Sequence, residues 1–495
     1  MNKLESSLRQ MATECPDRLA IQYRDRRLSY SKLIGILDAF GQKLGRLSGM
    51  RIVLLLPDGM SSYLCHLHFF LSGAIVVPVS VQSTTLKIRE LCQTVHPHFV
   101  VTNPLLRARH KGAIEGLPCL VVKSDYTDAP WGFDYESLAF ESVLGGRGQN
   151  LGTESEDIRM IVFTSGSTGK PKGVCLSEAN ILAAAGMNVS ILSLGPLRKS
   201  LVTVPLYDYY GFIQIYSHIL AQCGYILGES IVLPDQLFRR IREEEVTDLV
   251  LVPHTLREIL RMIGDHHADV IRNLRYMTSS SDALTPDLLR QAFVLNPDLK
   301  VFNIYGLTEA GRACYREIER SSVPSNSIGR PSPGVEITLD GPKGEPGEIV
   351  IRGPNVMLGY FRDICDDRVV FNPCTEMRTG DRAYYDEKGE IILVGRQDHM
   401  INMRGVKIHP SEIEMIALQV AGVTDALARA RTDGNGEVAI NLDVVMGGDT
   451  CDLGALREHM RRNMSPHFFP REINAVPSIK RTELGSKIVR REDRK

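Results

Sequence analysis

The run Thr164-Ser165-Gly166-Ser167-Thr168-Gly169-Lys170-Pro171-Lys172-Gly173 holds hydroxyls, glycines and two lysines, with no large apolar side chain. Such a run cannot be core. Its glycines let backbone N–H groups converge, its hydroxyls donate hydrogen bonds and its lysines add positive charge, a set that suits a polyphosphate. Apolar runs stand on both sides, Met160-Ile161-Val162-Phe163 before and Val174-Cys175-Leu176 after. The plainer alternative is therefore a polar connection between two strands. The G-x-x-x-x-G-K-[ST] spacing fails, because Pro171 follows Lys170 where the second glycine of that pattern would stand. Pro171 also disfavours helix at Lys170, so a flap over the phosphates is expected in place of a helix N-terminus beneath them.

A second constellation is Asn303-Ile304-Tyr305-Gly306-Leu307-Thr308-Glu309, where an apolar strand gives way to a turn. That is the ligand edge of an α/β sheet. Tyr305 offers a flat face to a base, and Asn303 a donor and acceptor to its edge. Thr308 can donate to a phosphate oxygen, and Glu309 supplies the hard carboxylate oxygen that Mg²⁺ takes. A glycine turn with a surface Thr-Glu is the alternative. Thr379-Gly380-Asp381 places one more carboxylate after a glycine turn.

Taken together, these segments resemble the motifs of the adenylate-forming superfamily: AMP-forming acyl and aryl CoA synthetases, nonribosomal adenylation domains and luciferases. TSGSTGKPKG resembles the signature loop, and the other motifs follow in the family's order from residue 160 almost to the C-terminus. The resemblance implies ATP as substrate with Mg²⁺ held by Thr164 and Glu309. Residues 164–170 and Lys172 would sit on the phosphates, Thr308 on the α-phosphate, and Asn303, Tyr305 and Gly306 at the adenine. Asp381 would take the ribose hydroxyls and Arg396 the ribose or phosphate. The run Gly395-Arg396-Gln397-Asp398 resembles the family's domain boundary, with Asp398 as hinge and Gly405 lining a thiol tunnel. Lys487 resembles the adenylation lysine, which would bridge carboxylate and α-phosphate oxygens as charge builds. Here the pattern departs, with one extra residue between Thr482 and Lys487 and Ser486 in place of glycine. Ser279-Ser280-Ser281 also departs, standing where a Gly-Gly-Glu-like loop usually meets the adenine. Ser281 is assigned to that contact.

Pro205-Leu206-Tyr207-Asp208-Tyr209-Tyr210-Gly211 lies where the family places its acid. Asp208 resembles the aspartate with which amino-acid adenylation domains pair the substrate ammonium, and Tyr209 and Gly211 would line the same pocket. The alternative pairs Asp208 with a cation of the protein or makes it the cap of the following helix. The expected activity is ATP-dependent conversion of a carboxylic acid, an amino acid foremost, to acyl-AMP and pyrophosphate. Transfer then follows to a pantetheine thiol, supplied in trans since Lys487 stands near the end. A carrier protein is expected, closest to stand-alone carrier-protein ligases; the alternative is an acyl or aryl CoA ligase using CoA. The remote alternative is a nucleotide-binding regulator that kept the fold and lost the chemistry.

These residues need a scaffold of 495 residues, too long for one core. Buried runs at 51–57, 74–79, 99–102, 119–122, 201–205, 249–252 and 301–304 alternate with helical patterns, such as 61–72, 178–193 and 212–223. That alternation predicts α/β layers with a mostly parallel sheet. Helix, strand pair and helix are expected over 1–50, with Ser29 or Ser31 as cap. Residues 124–157 read as a loop-rich connection. The predicted organisation is an N-terminal core over 1–397, with a β-rich subdomain at 327–397, and a small mobile α+β domain over 398–495.

Net charge is −1, which implies no nucleic-acid or membrane partner through electrostatics. Ten cysteines without a C-x-x-C suggest a reducing cytoplasm. The N-terminus carries no signal-like apolar core, and the apolar segment 69–81 is broken by Gly73 and Pro78, so no membrane span is expected.

Overall fold

Two helices, Met60–Leu71 and Tyr209–Leu220, are buried on almost every face, as befits helices enclosed between other layers. In the computed structural model they lie between two large sheets. The structure describes residues 3–45, 47–123, 135–138, 157–164, 171–228, 234–263, 267–281, 284–322, 327–342, 344–365, 368–396, 401–403, 406–408, 410–432, 438–447, 452–464 and 468–480.

Inside an antiparallel edge strand, Arg26–Ser29, the 13-stranded sheet has a parallel block of Leu19–Tyr23, Gly224–Leu227, Lys199–Val202, Asp248–Leu251, Tyr276–Ser279 and Lys300–Leu307. The chain then turns through Thr308 and Glu309 into Ala310–Ile318, and every later pairing in this sheet is antiparallel. The 9-stranded sheet has Ile75–Pro78, Arg51–Leu54, Phe99–Thr102 and Cys119–Val122 as its parallel block. Ile158–Thr164 pairs with Ile75–Pro78 and turns back antiparallel as Lys172–Ser177.

Side-chain alternation along the strands builds the layers. Ile52, Leu54, Val202 and Val250 face the helices between the sheets. Val53 and Leu55 face an outer layer, and Leu201 and Leu249 face the other. The α/β architecture expected from the apolar runs is the one observed.

Details differ where local signals compete. The expected helix at 212–223 is Tyr209–Leu220, because the Asp208 carboxylate accepts from Tyr210 N at 2.8 Å and starts it three residues earlier. Ser29, of the two serines considered, caps Tyr30–Leu44. Within the stretch read as loop, Tyr135–Leu138 is a strand that closes one edge of the second sheet against Cys119–Val122. Strands of the 327–397 stretch divide between the sheets. Gly359–Cys365 and Arg368–Pro373 extend the second beyond Lys172–Ser177, while Ser327–Pro331, Glu336–Asp340, Gly347–Arg352, Met377–Tyr385 and Ile391–Arg396 belong to the first.

The C-terminal part is a small α+β unit. Helices Pro410–Leu418 and Leu453–Asn463 place Ile413, Ala417, Leu456 and Met460 against Ala426, Leu442 and Val444 of a 3-stranded sheet. Among the described residues no helix is long and apolar enough to cross a membrane.

Candidate functional site

The Lys300–Ile318 hairpin organises the site. Asn303 lies in register with Ser279 on one side and Arg316 on the other, just inside the end of the parallel block. Gly306 lies so close to the returning strand that a Cβ would come within 2.6 Å of Arg312 N, so only glycine fits there without displacing backbone. Thr308 and Glu309 form the turn.

Glu309 receives a hydrogen bond at 2.9 Å from the Tyr360 hydroxyl, on a strand of the other sheet. Burial, followed by the Glu309 charge, pushes the Tyr360 phenol above its ordinary pKa, so it stays protonated and donates. The Lys172 ammonium lies 5.1 Å from the centre of the same ring, and Tyr360 is in register with Val174. Thr164, paired across from Lys172, directs its hydroxyl to the Lys172 carbonyl at 3.4 Å. Strand addition by Gly359–Cys365 thus brings Lys172 and Glu309 to one tyrosine, with Thr164 paired across from Lys172.

The second cluster centres on Asp381, 6% exposed. Tyr305 donates to its Oδ2 at 2.6 Å, and the Arg396 guanidinium lies 3.5 Å from Oδ1. Cross-strand register places Asp381 opposite Arg396. The Thr379 hydroxyl accepts from Asp381 N at 3.0 Å, and Gly380 takes the left-handed φ of 73° that lets the chain turn there. Burial and the Asp381 charge hold the Tyr305 phenol well above its usual range. The Arg396 charge also acts on Tyr360, in the sense that lowers its pKa, though less than burial and Glu309 raise it.

The third cluster lies beside Gly311. A Cβ there would come within 2.2 Å of the Tyr209 ring, so glycine lets that ring rest on the strand. Gly211 is equally constrained, with the Pro205 carbonyl 1.8 Å from where its Cβ would be. Asp208 caps the helix with one oxygen, as the alternative reading held, and burial raises its pKa. Tyr210 shares a hydrogen bond of 3.0 Å with Thr278. The Arg312 guanidinium stands over the Tyr210 ring, 4.6 Å from its centre. Ser281 has a left-handed φ of 77° and is exposed, and its neighbour Ser280 donates to the Ile304 carbonyl at 2.8 Å.

Ser165, Gly166, Ser167, Thr168, Gly169, Lys170, Asp398, Gly405 and Lys487 lie outside the described residues. Tyr210 stands within the run given for the acid, but no role for Tyr360, Thr278 or Arg312 is read from the sequence. Arg312 had a signal, as a lone cation within Ala310-Gly311-Arg312-Ala313-Cys314. Tyr360 had none, since its partner stands 51 positions away.

For Mg²⁺, the donor chemistry fits: Glu309 offers a carboxylate and Thr164 a hydroxyl, both hard oxygens. No group of three or more His, Cys, Asp or Glu side chains that could hold a metal occurs among the described residues.

A model of the family of AMP-binding enzymes matches residues 8–361. Indoleacetate–CoA ligase of Aromatoleum aromaticum is 27% identical, with 97% of this chain and 94% of the relative covered. Sulfoacetate–CoA ligase of Cupriavidus necator is 29% identical, over 88% of this chain and 86% of the relative. The structure of O-succinylbenzoate coenzyme A synthetase from Bacillus subtilis with ATP and magnesium ion has the same fold, with a TM-score of 0.76, 19% identity and 99% of each chain covered. A match over residues 8–361, through most of the chain, makes this chain a member of the AMP-binding enzyme family, an adenylating ligase that activates a carboxylic acid with ATP.

Proposed function

We propose that the protein converts a small carboxylic acid to acyl-AMP and pyrophosphate, and then passes the acyl group to a pantetheine thiol. Residues 165–170 and Lys172 hold the phosphates, Thr308 donates to the α-phosphate, and Asn303, Tyr305, Gly306 and Ser281 form the adenine side. Asp381 takes the ribose hydroxyls, with the Arg396 guanidinium 3.5 Å from its Oδ1. Glu309 and Thr164 hold Mg²⁺, whose charge offsets that of the phosphates. Lys487 neutralises charge between the attacking carboxylate and the α-phosphate, and rotation at Asp398 then brings Gly405 to the thiol path. The domain boundary accordingly falls at 397/398.

The observation that carries this reading is the single hairpin on which Tyr305 and Glu309 stand, each hydrogen-bonded to a side chain from a distant strand, Asp381 and Tyr360. A ribose-to-phosphate row of that kind is what a nucleotide requires. Asp208 remains the residue to meet an ammonium if the acid is an amino acid. Its rise in pKa through burial is what a cationic substrate group would offset. For the thiol, the two CoA ligases among the relatives favour CoA, with a carrier protein as the second acceptor. Pyrophosphate exchange across a panel of acids tests the first step, and thioester formation with CoA against a carrier protein tests the second. Lys487→Ala is expected to abolish exchange while nucleotide binding persists. Exchange at the wild-type rate in that variant would refute the role given to Lys487.

A further inference from the structure

Arg312 is 3% exposed, and its Nε and Nη2 are buried with no hydrogen-bond partner among the described residues. A guanidinium carries five N–H donors and stays charged, so burying it unmatched is costly. Proteins normally answer with a carboxylate. Here the nearest candidate does not serve: Asp208 forms no ion pair with Arg312 among the described residues and spends an oxygen on Tyr210 N. What faces the guanidinium is the Tyr210 ring, and the other groups acting on its charge are Tyr209 and Asp208.

Its position is enforced. Arg312 has a left-handed φ of 60°, which side chains other than glycine adopt only when their surroundings demand it. Its backbone N lies against Gly306, and the preceding Gly311 carries the Tyr209 ring. The hairpin of the nucleotide site therefore aims Arg312 at the tyrosines of the proposed acid pocket. A planar fork of donors held by packing, with two nitrogens unmatched, is prepared for a planar oxyanion.

We propose that Arg312 receives a second anionic group on the substrate, so that the acid activated here carries a carboxylate or comparable oxyanion besides the one that is adenylated. This rests on the adenylation reading above and narrows it to one substrate class. The reacting carboxylate goes to the nucleotide, the distal oxyanion to Arg312. An amino group, where the acid has one, falls to Asp208.

Pyrophosphate exchange with the wild-type enzyme decides it, using length-matched pairs such as succinate with butyrate and glutamate with norvaline. The diacid of a matched pair is expected to lead in kcat/KM by about 10- to 100-fold, the range for a charged hydrogen bond gained in a buried site. Arg312→Gln is expected to collapse that ratio toward one, and Arg312→Lys to keep part of it. The same diacids should raise the wild-type melting temperature more than their monoacid partners do. Exchange that proceeds with monoacids at equal or better kcat/KM overturns the inference and leaves the adenylation reading intact. No exchange with any acid, diacids included, overturns both. Equal loss of monoacids and diacids in Arg312→Gln would place Arg312 on the reacting carboxylate and overturn the inference.

Discussion

Replacing Tyr360 by Phe removes one hydroxyl and leaves the ring. The hydroxyl donates at 2.9 Å to Glu309, while the ring faces the Lys172 ammonium at 5.1 Å, so the variant loses the carboxylate contact and keeps the cation on the aromatic face. Hydrogen bonds to a charged group contribute roughly 1.5–3 kcal/mol, and partial exposure of Glu309 to water reduces that to about 1–2 kcal/mol. If the contact holds Glu309 where Mg²⁺ needs it, exchange falls by about 5- to 30-fold at limiting metal and recovers as Mg²⁺ rises. The assay is pyrophosphate exchange at saturating acid, titrated with free Mg²⁺, beside a thermal melt to show that the fold persists. Because burial and Glu309 keep the phenol protonated, no limb of the wild-type pH profile between pH 6 and 9 should come from Tyr360. A folded variant with the wild-type Mg²⁺ curve would refute the view that Tyr360 positions the metal-binding carboxylate.

Gly311→Ala puts a methyl group where the Tyr209 ring lies, 2.2 Å away, so the ring must swing into the acid pocket. The KM for the acid should rise by about tenfold or more while nucleotide binding changes little, and steady-state kinetics with a nucleotide-binding assay checks both. Asp58, half-buried and accepting from Leu206 N at 2.9 Å, is raised to about 6, chiefly by burial. A carboxyl raised above its unfolded value favours the protonated fold, so the stability it lends is present at acid pH and lost as pH climbs through about 6. Asp58→Asn keeps an acceptor for Leu206 N without the charge, and should gain about 1–2 kcal/mol over wild type at pH 8, after discounting for solvent access. That gain should shrink toward pH 5 in urea melts, and a gain that grows with acidity would overturn the assignment.

Local chemistry made much of this protein legible in one dimension. A donor-rich run between two apolar strands, a Tyr-Gly-x-Thr-Glu turn at the end of a buried strand, and regular alternation of short apolar runs with helical patterns each depend on neighbours in sequence. Their physical causes, backbone freedom, periodic burial and turn chemistry, act over a few residues. Tertiary structure decided what touches what. That Gly359–Cys365 leaves the strands around it and joins the other sheet is settled by edge pairing with Lys172–Ser177, and no local pattern encodes it. Asp381 meeting Tyr305, and an arginine buried against a tyrosine ring with no ion-pair partner among the described residues, are products of the same packing. Burial and distant pairing set the electrostatics of such groups, and both exist only once the layers have closed.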